Sequence, residues 1–217
     1  MLRQQLLDTS RGRIVTLLQR GGLTVDDIAS KLGLTANAVR AQLTAMQRDG
    51  VVHSVGRRPG TTRPSQVFAL TPDVEQLLSQ AYLPFLTQLV DVFAEALPGR
   101  DVERLMRRVG KELAAGVPHQ PASASLASRV AFASQLLNQQ LGAVTHVEGN
   151  GGYVIRGVGC PLAALTGKHP AVCRAMESFL TVIIGAAVHE CCAREGRPKC
   201  CFEVAIERRK RSGRARS

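Results

Sequence analysis

The sequence predicts an α+β protein in three parts: an N-terminal winged helix-turn-helix, a central helical dimerisation segment and a C-terminal α+β cysteine-rich sensor domain with a small antiparallel sheet. Three observations predict this class. Three short helical patterns lead into a strand, a basic Gly/Pro loop and a second strand within residues 1–70. A long apolar helical pattern comes next, and all six cysteines then lie within residues 160–201.

Length and composition bound the class of protein. With 217 residues, of which 45% are hydrophobic, the chain can bury the core of one or two domains. No apolar run reaches the ~18 residues of a membrane span, and the first residues form no secretory signal, so we expect a cytoplasmic protein with no membrane partner. In that compartment, grouped cysteines more often bind metal or undergo redox chemistry than form disulfides.

The net charge of +11 is concentrated at the two ends of the chain. Residues 1–70 carry ten basic and four acidic residues, and residues 208–217 carry six basic residues and no acid. The basic head favours a polyanion as partner, and double-stranded DNA is the expected one. The tail is either a disordered solubilising end or a weak DNA-contacting arm.

The first half of the head carries the signals of a helix-turn-helix. Ser10 is placed to cap a first helix and Thr24 a second, each just before an apolar helical pattern. Gly33 then ends the second helix and Thr35 caps a third, so that two helices meet at a short turn containing glycine. This order is typical of DNA-binding heads.

The third helix is predicted to enter the major groove. Its apolar residues Val39, Leu43 and Met46 share one face, which should pack inward. The opposite face is small, polar or basic, as a helix that reads base edges requires. The basic loop at residues 56–64, between two short strands, predicts a wing that lies against phosphate or enters the minor groove. The residues expected to contact DNA are Thr24, Thr35, Asn37, Arg40, Ala41, Thr44, Arg57, Arg58 and Arg63.

An apolar helical segment follows the head. Pro72 takes the first position of its first helix, and Pro84 should kink or divide the segment. Pro98 ends this pattern, and a further helix is predicted over Asp101–Ala115. Such helices after a winged head commonly serve dimerisation, and a homodimer matches a palindromic operator; packing within one chain is the alternative.

The stretch of residues 116–123, which contains glycine and prolines, is the predicted linker to the last third. There we expect helices over Leu126–Leu141 and Pro170–Ile184, a hairpin that turns at Gly149–Gly152, and a final hairpin of strands Val188–Ala193 and Lys199–Ile206. The predicted parts of the chain are a DNA-binding domain (1–72), a helical dimerisation or connector segment (73–116), the sensor domain (117–207) and a basic disordered tail (208–217).

The cysteines carry the chemistry of the last third, because thiolates gathered from separate elements suit a zinc ion or an iron–sulfur cluster. With Gly196 at the tip of the final hairpin, Cys192 faces Cys200. The same register sets Cys191 against Cys201, on the other face of the sheet, where buried free thiols acting as small hydrophobes are the alternative to ligands. The metal ligands proposed for a single site are Cys160, Cys173, Cys192 and Cys200.

With these residues in hand, the chain resembles the SufR-like regulators, a family of winged-helix repressors of iron–sulfur cluster assembly related to ArsR- and DeoR-type regulators. The resemblance runs from about Thr9 to Glu207. It rests on the segments Leu23–Leu34, Arg63–Thr71, Gly159–Leu162, His169–Cys173 and Cys200–Val204. The last third is also similar to the small-ligand domain of 4-vinyl reductase type, in which cysteines hold zinc or face a ligand pocket.

The resemblance implies a dimeric repressor that binds a 4Fe–4S cluster through C-terminal cysteines. Carried over by position, Cys160, Cys173 and Cys200 are ligands and Cys192 is the fourth. The two cysteine doublets leave the register open, since a shift of one residue exchanges the pairs.

The leading hypothesis is therefore a homodimeric DNA-binding repressor that senses iron–sulfur or redox status through a cysteine-ligated iron–sulfur cluster. The alternative is the same head with a zinc or thiol redox switch, in which a thiol pair forms a disulfide on oxidation, or with a sensor domain for a small molecule. An enzyme is not expected, because the sequence has no nucleophile elbow, P-loop, HExxH motif or dinucleotide fingerprint.

Overall fold

The structure, a computed structural model, describes residues 7–59, 63–121, 123–149, 152–193 and 196–206. The chain divides into two units, residues 1–82 and 83–217. The first unit is a winged helix-turn-helix, and the second combines helices with a small antiparallel sheet, so the predicted fold class is confirmed. The predicted linker at residues 116–123 does not separate units, because it lies inside the second one.

The first unit sets helices on a three-stranded antiparallel sheet of order β1-β3-β2. Its helices are α1 (Ser10–Leu18), α2 (Val25–Leu32), α3 (Ala36–Arg48) and α4 (Pro72–Leu78), and its strands are β1 (Leu23–Thr24), β2 (Val52–Arg58) and β3 (Ser65–Leu70). Strands β2 and β3 are the two sides of the wing. Its core includes Ile14, Leu18, Ile28, Val39, Leu43, Met46, Phe68 and Leu70.

Threonine side chains cap the helices α1, α2 and α3 of this unit. The Thr24 hydroxyl accepts a hydrogen bond from the Asp27 amide at 3.2 Å, and the Asp27 carboxylate accepts one from the Thr24 amide at 2.9 Å, which makes a capping box. Thr35 caps α3, as predicted. The cap of α1 is Thr9 and not Ser10, so that prediction was wrong by one residue.

The second unit contains a four-stranded antiparallel sheet of order β4-β5-β7-β6. Its helices are α5 (Tyr82–Ala96, whose first residue ends the first unit), α6 (Gly99–Ala115), α7 (Leu126–Gln140), α8 (Ala163–Thr166) and α9 (Cys173–Ile184), and its strands are β4 (Thr145–Glu148), β5 (Tyr153–Gly157), β6 (Val188–Glu190) and β7 (Cys201–Val204). The main core lies between α7, α9 and the sheet, and it includes Val130, Leu137, Ile155, Phe179, Leu180, Ile184, Phe202 and Val204.

Several predicted elements differ in detail. Pro84 lies in the first turn of α5, so the predicted division of the apolar segment is confirmed. The helix predicted from Pro170 begins as a 3-10 turn, Pro170–Val172, before α9. The strands of the final hairpin are shorter than predicted, and an isolated bridge joins Ala193 to Lys199 near its tip. The predicted basic tail lies outside the described residues.

Helix α6 packs so closely against α9 that the backbones of the two helices are in contact at Gly110. A Cβ on Gly110 would overlap the carbonyl oxygen of Ala175 and lie 2.9 Å from the amide nitrogen of Phe179. Ala114, one turn later, is fully buried in the main core. The boundary predicted after residue 116 is wrong for this reason: α6 is part of the body of the second unit.

Among the residues that the structure describes, no single helix is long and apolar enough to cross a membrane. Helices α4 and α5 meet the requirements of length and composition only as a broken pair.

Candidate functional site

Helix α3 turns one face to the core and the other to solvent. Val39, Leu43 and Met46 are each at most 1% exposed. Because these residues recur at helical spacing, the opposite face is fixed outward. That exposed face carries the predicted DNA-contacting residues Asn37, Arg40, Ala41 and Thr44.

A groove of about 540 Å³ lies between α3 and the wing. Arg40 and Thr44 line it from the helix, and Arg63 lines it from the wing. Gln47 and Gln66 line it as well, and the sequence analysis missed both. The helical period could have identified Gln47, because it follows Thr44 by three residues on the same face.

Arg58, predicted to contact DNA, is held in an ion pair. Its Nη1 lies 2.9 Å from Asp27 Oδ2, the oxygen that also accepts the Thr24 amide, and its Nη2 donates to the Gly22 carbonyl. The hydrogen bonds from Thr24 are the main cause that holds the pKa of Asp27 below its usual value, and Arg58 adds to it. Arg58 thus ties β2 to the start of α2.

Thr24 was also expected to contact DNA, and the structure does not support a contact through its side chain. The residue is only 5% exposed, and its hydroxyl is used by the capping box, so its side chain is not presented to a ligand. Thr35, Arg57 and Arg63 are exposed, as the prediction requires. The Arg40 guanidinium donates to the side chain of Asn37 at 2.9 Å. Contact of these exposed residues with DNA stays a prediction.

The final hairpin has the register that the sequence predicts. The pairs Val188–Val204 and Glu190–Phe202, continued to the Ala193–Lys199 bridge, set Cys192 opposite Cys200 and Cys191 opposite Cys201. Cys192 and Cys200 pack against the main core. Cys191 and Cys201 form a disulfide on the other face, so the expectation of free thiols at these two positions is wrong.

Three ligand groups converge where α9 meets this hairpin. The ligand atoms of Cys173, Glu190 and Cys192 all lie within 4.8 Å of one another. The Cys192 thiol is also hydrogen-bonded to that of Cys200. Cys173 is buried, and the other three residues are half-buried, so the cluster is partly shielded from solvent.

Two carboxylates and three backbone amides position this cluster. Glu177 of α9 accepts a hydrogen bond from the Glu190 amide at 3.0 Å and another from Arg174 at 2.7 Å, which holds β6 against α9. The Glu190 carboxylate accepts the Cys192 amide at 3.1 Å. The Cys201 amide points at the Cys192 sulfur, 3.2 Å away.

The surroundings of Cys192 raise the pKa of its thiol to about 12. The hydrogen bond with Cys173 is the largest influence and lowers the pKa, but the hydrogen bond with Cys200, the loss of solvent and the charge of Glu190 together outweigh it. The thiol is therefore neutral at pH 7, and a bound cation is what would favour the thiolate.

Cys160 does not join the cluster. Its sulfur lies 3.7 Å from the Thr166 hydroxyl, and the residue lines a cavity of about 340 Å³ together with Arg197. Of the four predicted ligands, the structure brings Cys173 and Cys192 together, and Cys200 is hydrogen-bonded to Cys192. Glu190 was missed, although it precedes Cys192 by two residues and so shares its face of the strand.

Residues 7–53 match the model of a family described as winged helix-turn-helix DNA-binding. The first unit is a winged helix-turn-helix DNA-binding domain. It is the type of head that DNA-binding transcriptional regulators carry.

Solved structures of three bacterial proteins are similar to parts of the chain. M. tuberculosis Rv0081 is 29% identical, with 42% of this chain and 88% of that protein covered and a TM-score of 0.29. MepR, a transcription regulator of the Staphylococcus aureus multidrug efflux pump MepA, is 21% identical, with 52% and 83% covered and a TM-score of 0.28. Bacillus subtilis PadR, solved in complex with operator DNA, is 16% identical, with 79% and 95% covered and a TM-score of 0.27. No match was found among curated proteins.

Proposed function

We propose that this chain is a homodimeric transcriptional repressor whose affinity for a palindromic operator depends on a thiol-ligated metal centre in its second unit. One observation carries the proposal: a DNA-binding winged-helix head and a cluster of three thiols and a carboxylate occur in one chain. In this proposal the protein acts in the cytoplasm on double-stranded DNA, and it is not an enzyme.

The groove beside α3 supports the DNA-binding part of the proposal. Arg40 and Arg63 bring two guanidinium groups to it, and Thr44 and Gln47 bring uncharged polar groups. Guanidinium and amide side chains read base edges in the major groove, whereas exposed arginines of a wing bind phosphate. The exposed Arg57 has the position for the second role.

An apolar surface on the second unit supports the homodimer. Val90 is the buried residue of α5, but many apolar side chains of this helix are exposed. They are Leu83, Phe85, Leu86, Leu89 and Val92, and Val109 and Leu113 of α6 are exposed as well. Between the two helices runs an apolar groove of about 520 Å³. Monomeric proteins rarely expose contiguous apolar surface of this kind, and a second copy of the chain would cover it.

The metal itself divides the proposal into two forms. In the iron–sulfur form, Cys160, Cys173, Cys192 and Cys200 would hold a 4Fe–4S cluster, with Cys160 outside the group of ligand atoms that lie within 4.8 Å of one another. In the zinc form, the close spacing of Cys173 and Cys192 with Glu190 is the favouring observation. Both forms place the sensing chemistry where α9 meets the final hairpin.

An ion-pair cluster links the ligand elements to the proposed dimer helix. Asp91 of α5 lies 2.7 Å from the Lys168 ammonium and is hydrogen-bonded to His169, just before the 3-10 turn that leads to Cys173. The hydrogen bonds from Lys168 and then His169 hold the pKa of Asp91 below its usual value. Val90 packs in the same small core as this turn. A shift of Cys173 would therefore reach α5.

Operator binding tests the proposal directly. The full chain, purified without oxygen, is assayed for iron, acid-labile sulfide and zinc, and its affinity for a selected operator is then measured with and without metal. We expect tighter binding with metal, and we expect Cys173→Ser to abolish that difference because it removes a buried ligand. Equal operator affinity with and without metal would contradict the proposal.

The redox alternative is tested by removing the disulfide. A double variant, Cys191→Ser with Cys201→Ser, removes the disulfide without touching the other four cysteines. If oxidation changes the operator affinity of the wild type but not that of this variant, the sensing element is a thiol switch and not a metal centre.

A further inference from the structure

We infer a mononuclear site for a tetrahedral divalent ion such as Zn²⁺, with a carboxylate among its ligands. The ligands are Cys173, Glu190, Cys192 and Cys200. Glu190 takes the place that the sequence assigns to Cys160. The inference deepens the proposed function and rests on it for its regulatory meaning, while the site itself rests on the geometry of these residues.

The spacing of the donors fits one ion. The ligand atoms of Cys173, Glu190 and Cys192 lie within 4.8 Å of one another. In a tetrahedral zinc site with Zn–S bonds of about 2.3 Å, neighbouring sulfur atoms are about 3.8 Å apart. A 4Fe–4S cluster holds its ligands farther apart, because each ligand binds a different iron atom. These donors are close enough for a single ion to contact all three.

The donor set also suits a divalent ion of borderline softness. Thiolates and a carboxylate are both common zinc ligands, and three thiolates select zinc over the hard ions magnesium and calcium. Cys200 lies outside the group of ligand atoms within 4.8 Å of one another, but its thiol hydrogen-bonds to that of Cys192, and so it is the inferred fourth donor. A four-donor set with no open position is typical of structural zinc sites rather than catalytic ones.

The carboxylate is fixed by the same contacts that align helix and strand. Glu177 follows Cys173 by one turn of α9, and it accepts the Glu190 amide at 3.0 Å. This hydrogen bond places β6 beside the N-terminal end of α9, where Cys173 lies. The Glu190 carboxylate then bends back to the Cys192 amide at 3.1 Å, which keeps it beside the thiol of that residue.

Cys160 has a different environment. It lines the cavity of about 340 Å³ that Arg197 also lines, and its sulfur contacts the Thr166 hydroxyl at 3.7 Å. Cys160 is not among the residues whose ligand atoms lie within 4.8 Å of one another.

Cobalt titration of the full chain is the test, because Co²⁺ takes tetrahedral zinc sites and reports its ligands in its absorption spectrum. The chain is reduced and kept free of oxygen. We expect one Co²⁺ per chain, tetrahedral visible bands, a thiolate charge-transfer band of three-sulfur intensity, and displacement by Zn²⁺. Cys192→Ser should lower that band by about one third, in proportion to the thiolates that remain.

Glu190→Gln is the decisive variant. Changes next to metal ligands already cost about 10–100-fold in affinity, so loss of the carboxylate should weaken Co²⁺ binding at least about tenfold while the charge-transfer intensity per bound ion stays constant. The matched control is Glu203→Gln, which changes an exposed glutamate on the neighbouring strand β7. This variant should bind Co²⁺ with the affinity of the wild type. Circular dichroism of each variant confirms that the fold is retained.

Two results would overturn the inference. One is wild-type affinity in Glu190→Gln together with a lower thiolate band in Cys160→Ser, which would restore Cys160 as the ligand. The other is a chain that takes up iron and sulfide in matching amounts but no single Co²⁺ ion. Failure of the proposed function would look different: Co²⁺ and Zn²⁺ would bind as inferred, and operator affinity would not respond to either ion.

Discussion

In the winged-helix head, Arg40 and Thr44 lie on one helix, and their common direction follows from the helical period alone. In the second unit, Cys173 comes from a helix and Cys192 from a hairpin, and they meet only because the strand is held against that helix. The head can therefore lose one functional side chain and keep the others in place. The thiol cluster depends on the packing of its whole unit, so changes far from it should disable it.

The largest expected effect is that of Gly110→Ala. Because a Cβ at this position overlaps the backbone of α9, we expect a loss of about 3 kcal/mol in the stability of the second unit, more than alanine gains in helix propensity. Thermal unfolding followed by circular dichroism measures it. Gly99→Ala, at the open start of the same helix, is the control and should be neutral. Equal destabilisation of the head would break the comparison between the units.

The next largest effect concerns the apolar surface of α5. Phe85 is 67% exposed, so Phe85→Glu should leave the fold intact. A carboxylate buried in a dimer interface should weaken association by about 2 kcal/mol or more, roughly thirtyfold. Sedimentation at several concentrations measures the dimer constant. Gln88→Glu adds the same charge to the flank of the helix and should have little effect; dimers of Phe85→Glu as tight as wild type would place the interface elsewhere.

A smaller effect is expected for Arg40→Ala. If Arg40 reads a base, the variant should lose about 1–3 kcal/mol of binding to the operator and much less to random DNA. Fluorescence anisotropy with both DNAs measures the difference. Arg13→Ala, an exposed arginine of α1, removes the same charge outside the groove. A uniform loss across both DNAs would instead assign Arg40 to a phosphate.

The smallest effect is expected for Thr24→Ala. The variant removes one hydrogen bond of the capping box and should destabilise the head by about 1 kcal/mol. Urea unfolding of the full chain, monitored by a signal from the first unit, measures this loss in the free energy of unfolding. Thr24→Ser keeps the hydroxyl and should restore most of the stability. Cobalt binding in the second unit should be the same in both variants, and a change there would show that the units are coupled.

The features predicted from the sequence are those whose causes lie within a few residues. Thr24, Gly33 and Thr35 act on neighbours in the chain, and they begin or end helices where the sequence places them. The register of the final hairpin follows from one glycine at its tip, Gly196, and the two-residue period of strands. Thr9 replaced Ser10 as a cap because both hydroxyls lie at the same helix start, where local patterns do not distinguish them.

The features that the sequence did not predict depend on contacts between distant segments. Gly110 looks like any helical glycine until α9 is placed against it, and so the boundary after residue 116 was wrong. Glu190 becomes a ligand candidate only once Cys173 lies beside it. The Cys191–Cys201 disulfide was not predicted, because grouped cysteines in a cytoplasmic protein more often bind metal than form disulfides. The register of the hairpin nevertheless brings the two sulfur atoms together.

The two cysteine doublets divide one hairpin between two environments. Cys192 and Cys200 look toward the core, and Cys191 and Cys201 are bonded on the far side, beside the guanidinium of Arg156. An oxidant or reductant that acts on the disulfide would approach from the side opposite the thiols that we propose as ligands. In the proposed function, an ion would then enter or leave without opening the disulfide, and one hairpin would carry two separate sulfur chemistries, one on each face of the sheet.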